Sequence, residues 1–415
     1  MNTPLVAAGF RRGPLRMGLD DPNFPPAAAK ADFLSHPPST VKGMVRFIHT
    51  ADWQIGLGRK FLAPEARARY AEARCEAIAE IGRAVEATDA AFVLVCGDVF
   101  ESNQVDRQVL RRSLEAVRAI PAPVLMLPGN HDALDPGSVY LSPTFQQSRP
   151  DNLHLLDGPT LEPVPGVDVV PVPWRTRKPL TDLVAETLAR LPAPQGKVRV
   201  AAAHGRVDEL APDPDDPSLI SVAGAERALA DGVIHYLALG DRHSVTSVGA
   251  TGRIWYSGTP EVTDFDEEMP GHVLVVELAD GACTAQPRTI GKWTFTRHFA
   301  DVSDQDLDGL RAWLDELPDK SRTALRLALR GTLSLAGRAR LDELLEEYSE
   351  LLAGLDVWEP QSDLCVLPDS LDADDLELSG FARTTLDHLV DVSGDGRDPV
   401  AAEALSLLYR LSRSA

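Results

Sequence analysis

Two short runs constrain this chain most: Ala91–Cys96 (AFVLVC) and Pro123–Leu127 (PVLML). Each is apolar throughout, without the alternation of a strand that has one face in water. A strand of this kind is buried on both faces, which requires a sheet with other elements packed on either side. The intervals between such runs supply those elements. Glu65–Thr88 places Tyr70, Ala73, Ala77, Ile81 and Val85 on one face at helical spacing, and a second helix is expected over Gln104–Ala119. Further strands are expected at Met44–His49, Val169–Val172, Val198–Ala203, Tyr236–Leu239, Arg253–Tyr256 and Val273–Leu278, with a helix near Thr181–Leu191. The expected fold class is α/β, with sheets flanked by helices.

Residues 1–43 are rich in Pro, Ala and Gly without periodicity and read as a disordered extension. Met44 directly precedes the first strand, and one reading is that translation begins there. A first domain is expected over 44–290. A small α+β domain follows over 291–359, with a β-like segment (Phe295–Val302), a helix (Asp306–Glu316), a strand (Ala324–Leu335) and a long helix (Arg338–Leu355). The stripe Leu341, Leu344, Leu345, Tyr348, Leu351, Leu352 and Leu355 reads as the core of that domain, a partner-docking face being the alternative. Residues 360–415 hold the acidic run DSLDADDLE and two amphipathic helices, Phe381–Val392 and Val400–Leu411, a candidate partner-binding region.

Composition narrows the class. The chain is 44% hydrophobic and 25% charged, ordinary for a globular protein. No apolar run approaches the ~20 residues of a membrane span, so a cytoplasmic location is expected. Cys75, Cys96, Cys283 and Cys365 are scattered and read as buried thiols, not as a disulfide framework or a zinc site. The net charge of −21 excludes broad electrostatic capture of nucleic acid by this chain alone. Phosphate would be bound locally, through metals and a few cations, or with a basic partner. Equally, the acid excess serves solubility.

The strands end in a pattern. The first leads to Asp52 and Gln54, the second to Gly97 and Asp98, and the third to Asn130, His131 and Asp132. The fourth ends at His204, and the fifth leads to Asp241 and His243. Strand carboxyl ends are where open α/β sheets build sites. Singly, each has a plain reading: Gly-Asp as a turn, His204 as a satisfied core histidine. Five in succession, each after a β-like run, point to a site for divalent cations.

This series, with Gln54 and Asp241 where histidines would complete it, resembles the calcineurin-like metallophosphoesterase superfamily. Within it, the surrounding F-I-H-T-A-D-W, V-L-V-C-G-D-V-F-E, L-P-G-N-H-D, Y-L-A-L-G-D-R-H and W-Y-S-G-T-P-E are similar to the SbcD-type DNA double-strand-break repair exonucleases. The resemblance implies a metallophosphoesterase β-sandwich over 44–290, with the small α+β unit in the place of a capping domain. It implies two divalent cations. The first would be held by Asp52, Asp98 and His243, with Gln54 at a family histidine's place. The second would be held by Asp98, Asn130 and His204, with Asp241 at the place of another. Asp98 would bridge them, and His131 would be the catalytic acid or the stabiliser of the phosphate in the transition state. DNA as substrate, an SMC-like ATPase of the SbcC type as partner, and a homodimer follow from the same resemblance.

The chemistry of these residue types agrees. Two cations about 3.5–4 Å apart can activate one water and neutralise phosphate oxygens, and an imidazole beside them can protonate the leaving oxygen near neutral pH. The two departures make the site richer in oxygen, which favours manganese, or magnesium, over zinc. Arg242 and Arg206, and with them Arg59 and Lys60, are candidates to meet substrate phosphates. His49 reads either as structural or as a support of the site. Two other readings stay open: a phosphodiesterase of small nucleotides or other phosphoesters, and a non-catalytic scaffold subunit with a weakened metal site.

Overall fold

The computed structural model describes residues 44–367 except Pro214 and Asp280, residues 380–393, and scattered positions from 400 to 408. The expected disordered extension and most of the second C-terminal helix lie outside the described residues. Along the chain come β1 (Met44–Thr50), α1 (Pro64–Thr88), β2 (Val93–Cys96), α2 (Arg107–Arg118), β3 (Val124–Leu127), α3 (Pro143–Ser148) and β4 (Leu153–Leu155). There follow β5 (Leu161–Val164), β6 (Val167–Val172), α4 (Leu183–Leu188), β7 (Val198–His204), α5 (Val222–Ala230), β8 (Tyr236–Gly240), β9 (Thr246–Val248) and β10 (Ile254–Tyr256). A hairpin of β11 (His272–Ala279) and β12 (Ala282–Thr289) returns beside β1.

Two six-stranded sheets result. One has the order β12-β11-β1-β2-β3-β4, the other β5-β6-β7-β8-β10-β9. β1 to β4 run parallel to one another, as do β6, β7, β8 and β10. The two apolar runs behave as their composition requires. Val93 and Val95 pack outward with α1 and α2, while Leu94 and Cys96 face the second sheet. Phe47 stacks on Phe92 at 4.9 Å and meets Tyr236 edge-on at 5.7 Å, closing the layer between the sheets. α4 and α5 cover the second sheet's outer face. The architecture is a β-sandwich flanked by helices.

Local chemistry sets the boundaries. α1 opens with Pro64 and ends at Asp89, whose left-handed φ of 51° stops it. α2 starts later than its spacing suggests because the Asp106 carboxylate caps the Gln108 and Val109 N–H groups.

The C-terminal unit has β13 (Thr294–Val302), α6 (Leu307–Glu316), β14 (Thr323–Ser334), α7 (Leu335–Leu351), β15 (Gly354–Val357), β16 (Asp363–Leu367) and α8 (Phe381–Ser393). The long strand β14 pairs in parallel with β13, β15 and β16. The expected helix over Arg338–Leu355 is corrected at both ends. The Ser334 hydroxyl caps the Gly337 N–H, so α7 begins earlier. The chain then turns extended at Leu352 and gives Leu355 to β15, since pairing with β14 overrides the helical leucine spacing. Leu341, Leu344, Tyr348 and Leu352 are core; Leu351 is exposed. Of the cysteines, only Cys96 is buried; the other three are half-buried, and none is in a disulfide.

One apolar cluster spans both parts. Leu62, Ala66, Tyr70 and Phe265 pack with Trp293, Phe295, Ala324 and Ala353, and the Ala63 N–H donates to the Ala353 carbonyl at 2.8 Å. Among the described residues, no helix is long and apolar enough to cross a membrane.

His49, fully buried near the end of β1, links the two sheets. Its Nε2 donates to the Leu239 carbonyl (3.2 Å), and its Nδ1 accepts from the Tyr236 hydroxyl (3.1 Å). Burial pushes this imidazole down to about 3, with the Leu239 carbonyl opposing. The folded protein keeps the ring neutral where the unfolded chain, near 6.5, takes up a proton. Stability from this group is therefore complete above 6.5 and is lost as the pH falls toward 3, at up to about 1.4 kcal/mol per pH unit. Thermal unfolding between about pH 7 and pH 5 should show Tm falling with pH, and His49→Gln should flatten that slope. An unchanged slope in the variant would place the acid sensitivity elsewhere.

Candidate metal centre

The strand-end residues meet at one edge of the sandwich, on backbone that few residues adopt. Among the described residues, seven other than glycine have positive φ, and four of them lie here: Asp52 (54°), Gln54 (43°), Asp98 (50°) and Asp241 (101°). Such strain persists where surrounding bonds over-determine it. The Asp52 N–H donates to the Gly97 carbonyl at 3.0 Å and the Gln54 N–H to the Asp98 carbonyl at 2.9 Å. The Asp241 N–H lies 3.1 Å from both Asp52 carboxylate oxygens. Beneath them, the buried Arg74 guanidinium donates to the Trp53 carbonyl at 2.7 Å, and the Thr259 hydroxyl donates to the Asp52 carbonyl at 2.8 Å. Two glycines allow the convergence. A Cβ on Gly97 (φ 88°) would lie 2.2 Å from His204 Nδ1, and one on Gly129 would lie 2.2 Å from Asp98 Oδ1.

Asp52, Asp98 and His204, all buried, offer ligand atoms within 4.8 Å of one another. His204 Nδ1 donates to the Cys96 carbonyl at 2.9 Å, which leaves the Nε2 lone pair facing the site. What it faces is oxygen: Asn130 Oδ1 at 2.7 Å, Asp98 Oδ1 at 3.4 Å and Asp241 Oδ1 at 3.9 Å. Acceptors thus converge with nothing between them to donate, unless His204 holds a second proton. Burial opposes that proton, but Asp98, Asp52 and Asp241 outweigh it and raise the imidazole's pKa well above its usual value. Burial pushes Asp52 up to about 7 against the pull of His243 and His204. Burial also acts on Asp98, but His204 and His131 prevail and lower its pKa. This oxygen-rich set with one imidazole fits a divalent cation.

The other half is arranged differently. His243 Nδ1 lies 2.9 Å from Glu267 Oε1 and 2.7 Å from Thr263 Oγ1. Its Nε2 lies 3.1 Å from the amide nitrogen of Gln54. Burial disfavours the imidazolium, yet the Glu267 hydrogen bond and the Asp52 charge raise its pKa. The amide donor facing Nε2 fits only the neutral ring, the form the geometry supports.

His131 sits at the rim, half-exposed. Its N–H donates to Asp98 Oδ1 at 2.9 Å and its Nδ1 donates to the Glu101 carbonyl at 2.8 Å, leaving Nε2 3.9 Å from Asp98 Oδ2. Arg242 is turned onto the Thr246 hydroxyl at 2.7 Å, and Arg206 is exposed two residues beyond His204. Arg59 is bonded to the Thr263 carbonyl, and Lys60 is exposed.

Three supporting residues, Trp174, Thr263 and Glu267, carried no assignment in the sequence, and Asp132, named there in the strand-end series, supports the site instead of facing it. Asp132 is fully buried and accepts from Gly129 N–H (2.7 Å), Phe100 N–H (3.1 Å) and Tyr140 hydroxyl (2.6 Å), bracing the loop. Burial, then the Asp98 charge, pushes it up to about 6. The Trp174 indole donates to the His204 carbonyl at 2.6 Å. Thr263 and Glu267 lie in a loop with no periodic or spacing signal; of the four, only Asp132, inside G-N-H-D, is marked by a motif.

A sandwich of two sheets with carboxylates and histidines gathered at the strand ends defines a metal-dependent phosphoester hydrolase. The chain belongs to the calcineurin-like phosphoesterase family, whose model matches residues 45–276. Among curated proteins, none matches. Among solved structures, the chain is similar to TT1561 of Thermus thermophilus, with 9% identity, 59% of this chain and 99% of that chain covered, and a TM-score of 0.37. It is also similar to a dimetal phosphatase from Danio rerio, with 12% identity, coverage of 60% and 96%, and a TM-score of 0.39.

Gly129→Ala tests the packing of the centre. The added methyl would lie 2.2 Å from Asp98 Oδ1 and 2.5 Å from the Asp98 backbone nitrogen and must displace both, so phosphoester turnover should fall on the order of 100-fold while the circular dichroism spectrum is unchanged. Full turnover in a folded variant would show that Asp98 need not sit where Gly129 lets it sit.

Proposed function

We propose that the chain is a divalent-cation-dependent phosphodiesterase acting on DNA, an exonuclease of the SbcD type. The observation that carries the phosphodiesterase part is the convergence of Asp52, Asp98, Asn130, His204 and Asp241 as electron-pair donors, with His131 Nε2 facing the same space. These residues, with Gln54 and His243, would hold the cations. Bound cations supply Lewis acidity toward the phosphate and the attacking water. As the imidazolium, His131 would give its Nε2 proton to the leaving oxygen; its Nδ1–H bond to the Glu101 carbonyl holds the ring in that orientation.

DNA as substrate is supported by the sequence context around each motif and by a face of the C-terminal unit. There the guanidinium groups of Arg297 and Arg326 lie over Trp358 at 4.8 and 5.7 Å, with Phe299 exposed beside it. Aromatic surfaces interleaved with arginine suit a nucleic-acid strand. Arg297 is paired with Asp266, in the same loop as Thr263 and Glu267, so this face adjoins the supports of His243. An SbcC-type ATPase partner, a homodimer and manganese as the metal belong to this reading. The net charge of −21 favours the second reading, hydrolysis of small nucleotides.

Metal-stripped protein reloaded with manganese should degrade linear duplex or single-stranded DNA and turn over bis-(p-nitrophenyl) phosphate. Zinc should support less turnover, and Asp98→Ala should abolish it. Diester turnover with intact DNA would favour small nucleotides, and highest turnover with zinc would overturn manganese. Silence on all substrates with no metal bound would leave a scaffold subunit.

A further inference from the structure

The two halves of the centre present different atoms to a cation. Around His204 the neighbours are acceptors: Asn130 Oδ1, Asp98 Oδ1 and Asp241 Oδ1. Around His243 the lone pair is already used. Glu267 is a carboxylate and only accepts, so Nδ1 carries the ring proton and Nε2 is bare. The group facing Nε2 at 3.1 Å is the Gln54 amide nitrogen, a donor without a lone pair to offer a metal. Gln54 has little room to leave. Its side chain is buried, its φ is 43°, and its N–H is bonded to the Asp98 carbonyl at 2.9 Å. What remains to it is rotation of the amide.

We infer that the two cation positions are unequal, and that Gln54 is a latch closing one of them. The inference rests on reading this cluster as a metal centre. One cation is taken up directly among Asp52, Asp98, Asn130, His204 and Asp241. The second, beside His243, enters only after the Gln54 amide gives up its hydrogen bond to Nε2 and turns its carbonyl oxygen inward. The 3.1 Å between the two side-chain atoms suits either state: a hydrogen bond when latched, or two neighbouring ligands of one ion when open. Breaking a buried hydrogen bond on entry weakens the second step on the order of tenfold. Gln54 is thus a positioning residue that acts through His243 in the latched state.

The test is manganese titrated into the metal-stripped full chain, followed by calorimetry and by electron paramagnetic resonance. The expected result is one tight equivalent, then a second about tenfold weaker or more. Gln54→His, which brings an imidazole lone pair of its own to the cation, should strengthen the second step by about tenfold and give an exchange-coupled manganese pair at two equivalents. Gln54→Glu should also strengthen that step, since a carboxylate has no proton to donate to Nε2. Two equivalents taken up by the unaltered chain in a single step would overturn the latch while leaving the metal centre standing. So would two folded variants whose second step is unmoved. No manganese uptake at all would overturn the metal-centre reading, and the latch with it.

Discussion

The Asp98 carboxylate is held at a point where four separate strand ends must agree. Its oxygen accepts the His131 N–H, it lies 3.4 Å from His204 Nε2, and its backbone carbonyl takes the Gln54 N–H. Gly129 leaves the room in which it stands. These contacts come from several strand ends in both sheets, so the acid sits correctly only if the two sheets are in register with each other. The left-handed backbone at Asp52, Gln54, Asp98 and Asp241 is the local cost of aiming the side chains inward. The large inter-sheet core offsets it.

Much of this is legible in the sequence, for a physical reason. Strands buried on both faces are apolar throughout, and a chain leaving such a strand for a polar site needs glycine and a short acceptor side chain immediately after it. Both signals are local, so β2, β3 and the ligand candidates after them stand out. The missing parts lack local signals. Thr263 and Glu267 reach His243 from a loop ordered by tertiary contacts, and β12 is an exposed edge strand with no apolar run. The end of α7 is hidden because leucines at helical spacing continue into β15, where pairing with β14 decides. The amide of Gln54 is legible as a departure, but its contact with His243 is not.

Charge gives the molecule a consistent character. The chain carries an excess of 21 acidic groups, and its site gathers acceptors. Many cations near the site are already engaged: Arg59 with Thr263, Arg242 with Thr246, Arg297 with Asp266 and Arg326 with Asp356. A long anionic substrate therefore meets little general attraction. Screening confines what attraction there is to about 8–10 Å at physiological salt. Affinity for phosphate must be made locally.

The apolar cluster shared by α1 and the C-terminal unit has a consequence for synthesis. Leu62, Ala66 and Tyr70 leave the ribosome early, while Trp293, Phe295, Ala324 and Ala353, which cover them, are made much later. Through that interval the nascent sandwich carries an uncovered greasy patch at the start of its first helix. Domains tend to fold in the order they are made, and exposed apolar surface in that window invites aggregation. The last third of this chain thus finishes a surface that the first third has had to keep in water.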